Sequence, residues 1–148
     1  MKKPSTVALQ RQQKAVRHSS LHSCITLPPN ISEILSRDPK LVGFIAARHK
    51  IVGKIFQDKN VLEIGCQEGF GTYFVAPYVK KVTCIDFYPP FVSGFKKFTQ
   101  PNLKNAKVFC WDILKGPVKR KFDGAFALDV LEHIDPKSEN KFWENLIL

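Results

Sequence analysis

Val61-Leu62-Glu63-Ile64-Gly65-Cys66-Gln67-Glu68-Gly69-Phe70-Gly71 decides the fold of this chain. A short apolar run enters a glycine-spaced turn, and a helix-forming stretch follows. Asp86 stands 21 residues beyond Gly65, at the end of a second apolar run, Val82-Thr83-Cys84-Ile85. Glycines let a backbone turn sharply and approach a ligand with no Cβ in the way. The next helix points free N–H groups at the ligand, and a carboxylate on the neighbouring strand end can accept both ribose hydroxyls. The segment reads as a nucleotide-cofactor site.

Outward from this turn, strands are expected near 60–65, 81–86, 106–110 and 122–128, and helices near 70–79, 90–99 and 136–147. Such alternation argues for an α/β fold with a parallel sheet and right-handed crossovers. Upstream, Leu41, Phe44, Ile45, Ile51, Val52, Ile55 and Phe56 recur at helical spacing after Asp38-Pro39. Arg48 and Lys50 on that helix are expected to be solvent-facing charges, with contact to a ligand carboxylate as the alternative. The link from Trp111 to Lys121 is short for a crossover helix, so an extended or single-turn connection is expected.

At 148 residues, with 44% apolar and 24% charged residues, the chain has the composition of one globular domain. No apolar run approaches the ~20 residues needed to span a bilayer, and no secretory leader pattern is present. Cys24, Cys66, Cys84 and Cys110 form no C-x-x-C pair, so free thiols in a reducing, cytoplasmic compartment are expected. His18, His22 and Cys24 match no common zinc spacing, and no metal is expected.

The net charge is +10, and Lys2, Lys3, Arg11, Lys14 and Arg17 supply half of it before the first acid, Glu33. Residues 1–30 are therefore expected to be a basic, mobile arm ending at Pro28-Pro29, with the domain over 31–148. Its Arg, Ser and Gln content also suits an organelle transit peptide. The other cations, among them Lys107 and Lys119-Arg120-Lys121, form either a solvated rim or a surface for nucleic acid or acidic substrates.

Glu63 to Gly69 resembles the first motif of class I S-adenosylmethionine-dependent methyltransferases. Phe122-Asp123-Gly124-Ala125-Phe126-Ala127-Leu128-Asp129-Val130-Leu131-Glu132-His133-Ile134 resembles their fourth-strand motif. The resemblance covers about residues 41–148. It implies a Rossmann-like three-layer α/β fold with strand order 3-2-1-4-5-7-6, of which this chain carries the N-terminal half, 3-2-1-4. A sheet ending at the fourth strand would expose an apolar edge. The expectation is a fragment of a longer protein, or an edge completed by a partner, for instance in a dimer.

The family's first motif is Glu/Asp-x-Gly-x-Gly-x-Gly. Here Gln67 replaces the middle glycine, so its backbone must avoid a positive φ or accept strain. Gly71 is either a cofactor glycine or a packing glycine. The resemblance implies a cofactor site of Glu63, Gly65, Cys66, Gln67, Gly69, Asp86, Phe87, Asp112, Ile113, Leu128 and Asp129. In it Asp86 takes the ribose diol, Asp112 the adenine amino group, and Asp129 the amino group of the methionyl end. Ile113 offers a backbone N–H and an apolar wall, and Glu132 and His133 orient the loop. No catalytic residue is implied.

A dinucleotide site is the competing reading. Its pyrophosphate needs G-x-G-x-x-G, which is absent, and Glu63 would repel it. Tyr88-Pro89-Pro90-Phe91 is similar to a motif of amino-methylating enzymes but follows the second strand, where it reads as a helix start. The expected function is methyl transfer from S-adenosylmethionine to an oxygen or nitrogen of a small molecule, because Asp129 to Ile134 is similar to quinone, sugar and natural-product methyltransferases. The alternatives are an RNA methyltransferase using the basic arm, and a truncated, non-catalytic relative that binds the cofactor or a partner.

Overall fold

A computed structural model describes residues 25–147. Most of the expected arm, including His18, His22 and Cys24, lies outside the described residues. Four strands, β1 (Asn60–Ile64), β2 (Lys81–Asp86), β3 (Ala106–Cys110) and β4 (Gly124–Ala127), form one sheet in the order β3-β2-β1-β4. Every pairing is parallel. This is the expected half of the Rossmann-like fold.

Period-two alternation divides the core between the two faces of the sheet. Val61, Val82, Cys84, Val108 and Phe126 join one apolar cluster, and Leu62, Ile64 and Ile85 join the other with Ile113 and Phe142. Because β1 and β2 are buried on both faces, their sequences read as nearly unbroken apolar runs. Helices α1 (Pro29–Arg37), α2 (Pro39–Ile55), α3 (Thr72–Val75), α4 (Pro89–Gly94) and α5 (Glu139–Ile147) complete the layers. A π turn, Phe95–Thr99, and a 3-10 turn, Gln100–Asn102, prolong α4. Among the described residues no helix is long and apolar enough to cross a membrane.

Three elements depart from the sequence-based expectation. The helix near 70–79 shrinks to Thr72–Val75, because Pro77 has no N–H to continue the ladder. The fourth strand covers 124–127 instead of 122–128, so Leu128 and Asp129 lie beyond its end. Helix α1 was not expected, and the arm boundary at 30 falls inside its first turn. Pro28 is fully buried there, and the Asn30 backbone N–H donates to Glu68 Oε2 at 3.0 Å. The missed signal is Pro29 at a helix start followed by Ile31, Ile34 and Leu35 at i, i+3, i+4 spacing.

Candidate functional site

The loop between β1 and α3 carries three left-handed residues in alternation: Gly65 (φ 72), Gln67 (φ 49) and Gly69 (φ 82). At Gly65 a Cβ would stand 2.5 Å from Val130 Cγ2, so the backbone there lies against the β4 loop as only glycine permits. Gln67 accepts the strain, which for a residue with a side chain costs about 1–2 kcal/mol. Its N–H donates to Asp86 Oδ2 at 2.8 Å, and its Oε1 accepts from Asn30 Nδ2 at 2.8 Å. Gln67→Gly relieves the strain and loses only the exposed Asn30 bond. Stability in urea is expected to rise by about 0.5–1 kcal/mol; a fall would mean that the Asn30 contact outweighs the strain.

Gly71 is a packing glycine. Its φ is ordinary, and a Cβ would fall 2.1 Å from His49 Nε2 on α2. That ring is fixed by Nδ1, 2.8 Å from the Ile45 carbonyl. Burial holds the His49 pKa below its usual value, so the ring is neutral at neutral pH, with Nδ1 donating.

Asp86 is buried, and each of its oxygens holds one backbone donor, Oδ1 taking the Tyr88 N–H at 2.9 Å. A carboxylate offers about four lone-pair sites, so two remain for hydroxyl donors. Asp112 caps the 3-10 turn Ile113–Lys115 through Oδ1, which accepts from the Leu114 N–H at 3.0 Å. Ile113 is buried beside it.

A cavity of about 520 Å³ lies over the strand ends, lined by Gly65, Gln67, Asp86, Phe87, Asp112, Ile113 and Asp129, with Trp111 and His133 also on its wall. A smaller one of about 80 Å³ adjoins it, lined by Glu63, Cys66, Leu128 and His49, and the two share Gly65, Gln67 and Asp129. Of the eleven residues implied by the resemblance, only Gly69 lines neither; it packs on Phe95. Glu63 is turned inward, accepting from Thr72 Oγ1 at 2.6 Å and Cys84 Sγ at 3.3 Å. Burial pushes the thiols of Cys66 and Cys84 up, which makes them inert small hydrophobes.

Asp129 stands where the cavities meet, with φ 55, and receives Arg48 of α2 bidentately at 2.6 and 2.5 Å. This guanidinium holds the Asp129 pKa below the usual carboxylate range. Arg48 was placed by its helix; its pairing with Asp129 and the seating of His49 on Gly71 were not foreseen. No short spacing links 48 to 129 or 49 to 71, so the sequence carried no local signal for either.

These features suit a polar small ligand at the strand ends. Asp86 and Asp112 keep carboxylate lone pairs free to accept hydrogen bonds on the cavity wall, the cavity has the volume of a small-ligand site, and Asp129, ion-paired to Arg48, brings charge to the junction. A family model described as "Methyltransferase domain" matches residues 61–147. The chain belongs to this methyltransferase domain family.

Among solved structures, DhpI in complex with SAH superposes with a TM-score of 0.65 at 19% identity, covering 78% of this chain and 56% of that one. The N-methyltransferase NodS from Bradyrhizobium japonicum WM9, in complex with S-adenosyl-L-homocysteine, gives 0.57 at 25% identity, covering 68% of this chain and 54% of that one. A dimethyladenosine transferase from Plasmodium falciparum gives 0.55 at 29% identity, covering 71% of this chain and 36% of that one. The chain thus spans about half the length of the first two structures and about a third of the last. No curated protein sequence matches it.

Proposed function

We propose that this chain is the cofactor-binding part of an S-adenosylmethionine-dependent methyltransferase whose acceptor is an oxygen or nitrogen of a small molecule. The observation that carries the reading is the pair of joined cavities, with Asp86 and Asp112 on the wall of the larger and Asp129, ion-paired to Arg48, at the junction. Bound there, S-adenosylmethionine supplies an electrophilic methyl group on a sulfonium sulfur. The chain's own residues hold and orient it. Asp86 accepts the ribose hydroxyls, Asp112 the adenine amino group, and Ile113 walls the ring. Arg48 faces the carboxylate of the methionyl end and Asp129 its ammonium. Catalysis rests on alignment and water exclusion, and no residue here is given a covalent role.

The chain from Pro28 onward is assigned to this half-domain, because α1 starts there, and the basic residues before it to an arm. The buried free thiols of Cys66 and Cys84 fit a reducing, cytoplasmic setting. Among the described residues β4 pairs only with β1, so its outer edge can take a further strand or a second copy of the chain. Sedimentation separates these two outcomes. A nucleic-acid acceptor is the second reading, favoured by the likeness to the dimethyladenosine transferase at 29% identity.

Calorimetry with S-adenosylmethionine, S-adenosylhomocysteine and NAD tests the assignment. Binding of the two adenosyl compounds and not of NAD is expected, and the reverse would sink it. Asp86→Ala is expected to weaken S-adenosylhomocysteine binding by about 1.5 kcal/mol, the lower end for hydrogen bonds to a charged group. The lower end applies because each oxygen already accepts one backbone bond. An unchanged dissociation constant in a folded variant would leave Asp86 as a turn residue only.

A further inference from the structure

β3 is the sheet edge opposite β4. Its alternation buries Ala106 and Val108 in the core and turns Lys107 and Phe109 to the other face, which Trp111 continues. Over β1 and β2 that face is covered by α5 and Ile113. Over β3 no described element covers it, because the connection to β4 is a 3-10 turn and irregular chain instead of a crossover helix. Phe109 and Trp111 are accordingly 39% and 41% exposed.

The guanidinium of Arg120 lies 5.0 Å over the Phe109 ring. The Trp111 indole N–H donates to the Gly116 carbonyl at 2.9 Å, which fixes that ring in place. From Lys104 to Lys121 the chain carries six cations and one acid, Asp112, and the acid belongs to the cavity wall. Among the described residues none of the six cations forms a salt bridge. The stripe from Lys107 to Trp111 is about 13 Å long at ~3.3 Å per residue, and it ends at the cavity, which Trp111 helps to line.

We propose that this stripe is a binding surface for single-stranded nucleic acid, with bases stacked on Phe109 and Trp111 and phosphates paired with Lys107 and Arg120. Two kinds of group meet on it, planar rings and cations without a salt-bridge partner among the described residues, which is the chemistry of sequence-tolerant single-strand binding. An acidic polypeptide would use the charges but not the rings. The chain's own N-terminal segment, with five cations and no acid before Glu33, does not complement the stripe in charge. The inference stands apart from the cofactor reading, since none of its contacts requires a bound cofactor.

Fluorescence polarisation of the full chain with a short labelled oligouridylate tests it, with oligothymidylate, heparin and phosphatidylserine vesicles as comparisons. Oligouridylate is expected to bind with a log–log salt slope of about −1.4, as for two neutralised phosphates on a single strand. Phe109→Thr, which keeps a good strand former, weakens binding about tenfold through lost stacking. Arg120→Glu, in irregular chain and so without effect on the sheet, weakens it and lowers the slope by about 0.7. S-adenosylhomocysteine binding by calorimetry stays unchanged in both, which separates this site from the cofactor assignment.

Equal binding of oligothymidylate supports a surface read by stacking alone, and a preference for oligouridylate supports RNA. The proposal is overturned if both variants bind as the parent does, since the N-terminal segment then carries the affinity. It is equally overturned if heparin or the vesicles bind more tightly than either oligonucleotide.

Discussion

Gly69→Ala is expected to lower stability by about 2–5 kcal/mol. Two effects add. The residue holds φ 82, a left-handed conformation that costs an alanine about 1–2 kcal/mol. A Cβ there would also stand 2.4 Å from Cδ2 and Cε2 of Phe95 and 2.9 Å from Thr99 Cγ2. Neither neighbour has room to yield. Phe95 is fully buried in the core cluster, and Thr99, also fully buried, is tied by its hydroxyl to the Glu68 carbonyl at 2.6 Å. Forcing extra volume into such a core costs about 1–3 kcal/mol. Urea unfolding measures the sum. Gly43→Ala is the control, because a Cβ at that helical position meets nothing within 4 Å and should gain roughly 0.5–1 kcal/mol. A Gly69→Ala variant within about 1 kcal/mol of the parent would contradict the loop geometry, since the conformational cost alone reaches that value.

The same position shows what the sequence made legible. The spacing of Gly65 and Gly69 after an apolar run identified a nucleotide site, but not the different work of the two glycines. Gly65 lies on the cavity wall against Val130, whereas Gly69 serves the packing of Phe95. The strands were readable because buried parallel strands are short unbroken apolar runs, and their order followed from the motif resemblance. Residues joined through backbone geometry were legible too: Asp86 reaches the first loop because strand pairing sets Ile64 beside Ile85. Side chains that meet across elements were not. Arg48 and Asp129 are 81 residues apart, and His49 reaches Gly71 only because α2 crosses α3. Helix α1 was hidden by the polar composition around it, although its buried Ile31 holds it to the domain.

The Arg48–Asp129 pair is both the tightest polar contact at the site and a weak one energetically. Its partners are 41% and 47% exposed, and solvent screening limits such pairs to about 0–1 kcal/mol. Asp129 nevertheless adopts φ 55, which a residue with a side chain takes only at some cost. A strained residue held by a weak pair at the junction of two cavities is easily rearranged, as the proposed zwitterionic ligand would require. Strain at this place is therefore consistent with ligand binding, and stabilising the fold does not account for it.

Glu63 should make the protein lose stability as pH rises towards neutrality, the reverse of the usual carboxylate effect. Its side chain is buried between β1, β2 and α3, and desolvation pushes its pKa up from 4.5 to about 7, against the opposing hydrogen bonds from Thr72 and Cys84. His49 Nε2 is 3.8 Å from Oε1. Burial lowers the His49 pKa, so this ring supplies no strong counter-charge at neutral pH. Between pH 4.5 and about 7 the folded chain therefore holds a proton that the unfolded chain has released. The stabilising contribution is whole below the unfolded pKa, declines across that window and is gone above about pH 7. A shift of this size corresponds to about 3 kcal/mol. Glu63→Gln keeps the acceptor oxygen for Thr72 and cannot ionise. Relative to the parent it should gain stability on going from about pH 5 to about pH 8, by an amount on the order of 3 kcal/mol. Urea titrations of both proteins at the two pH values measure the difference, and subtraction removes the groups common to both. Parallel profiles would mean that Glu63 keeps its charge inside the fold, and the group most able to hold it there is a protonated His49.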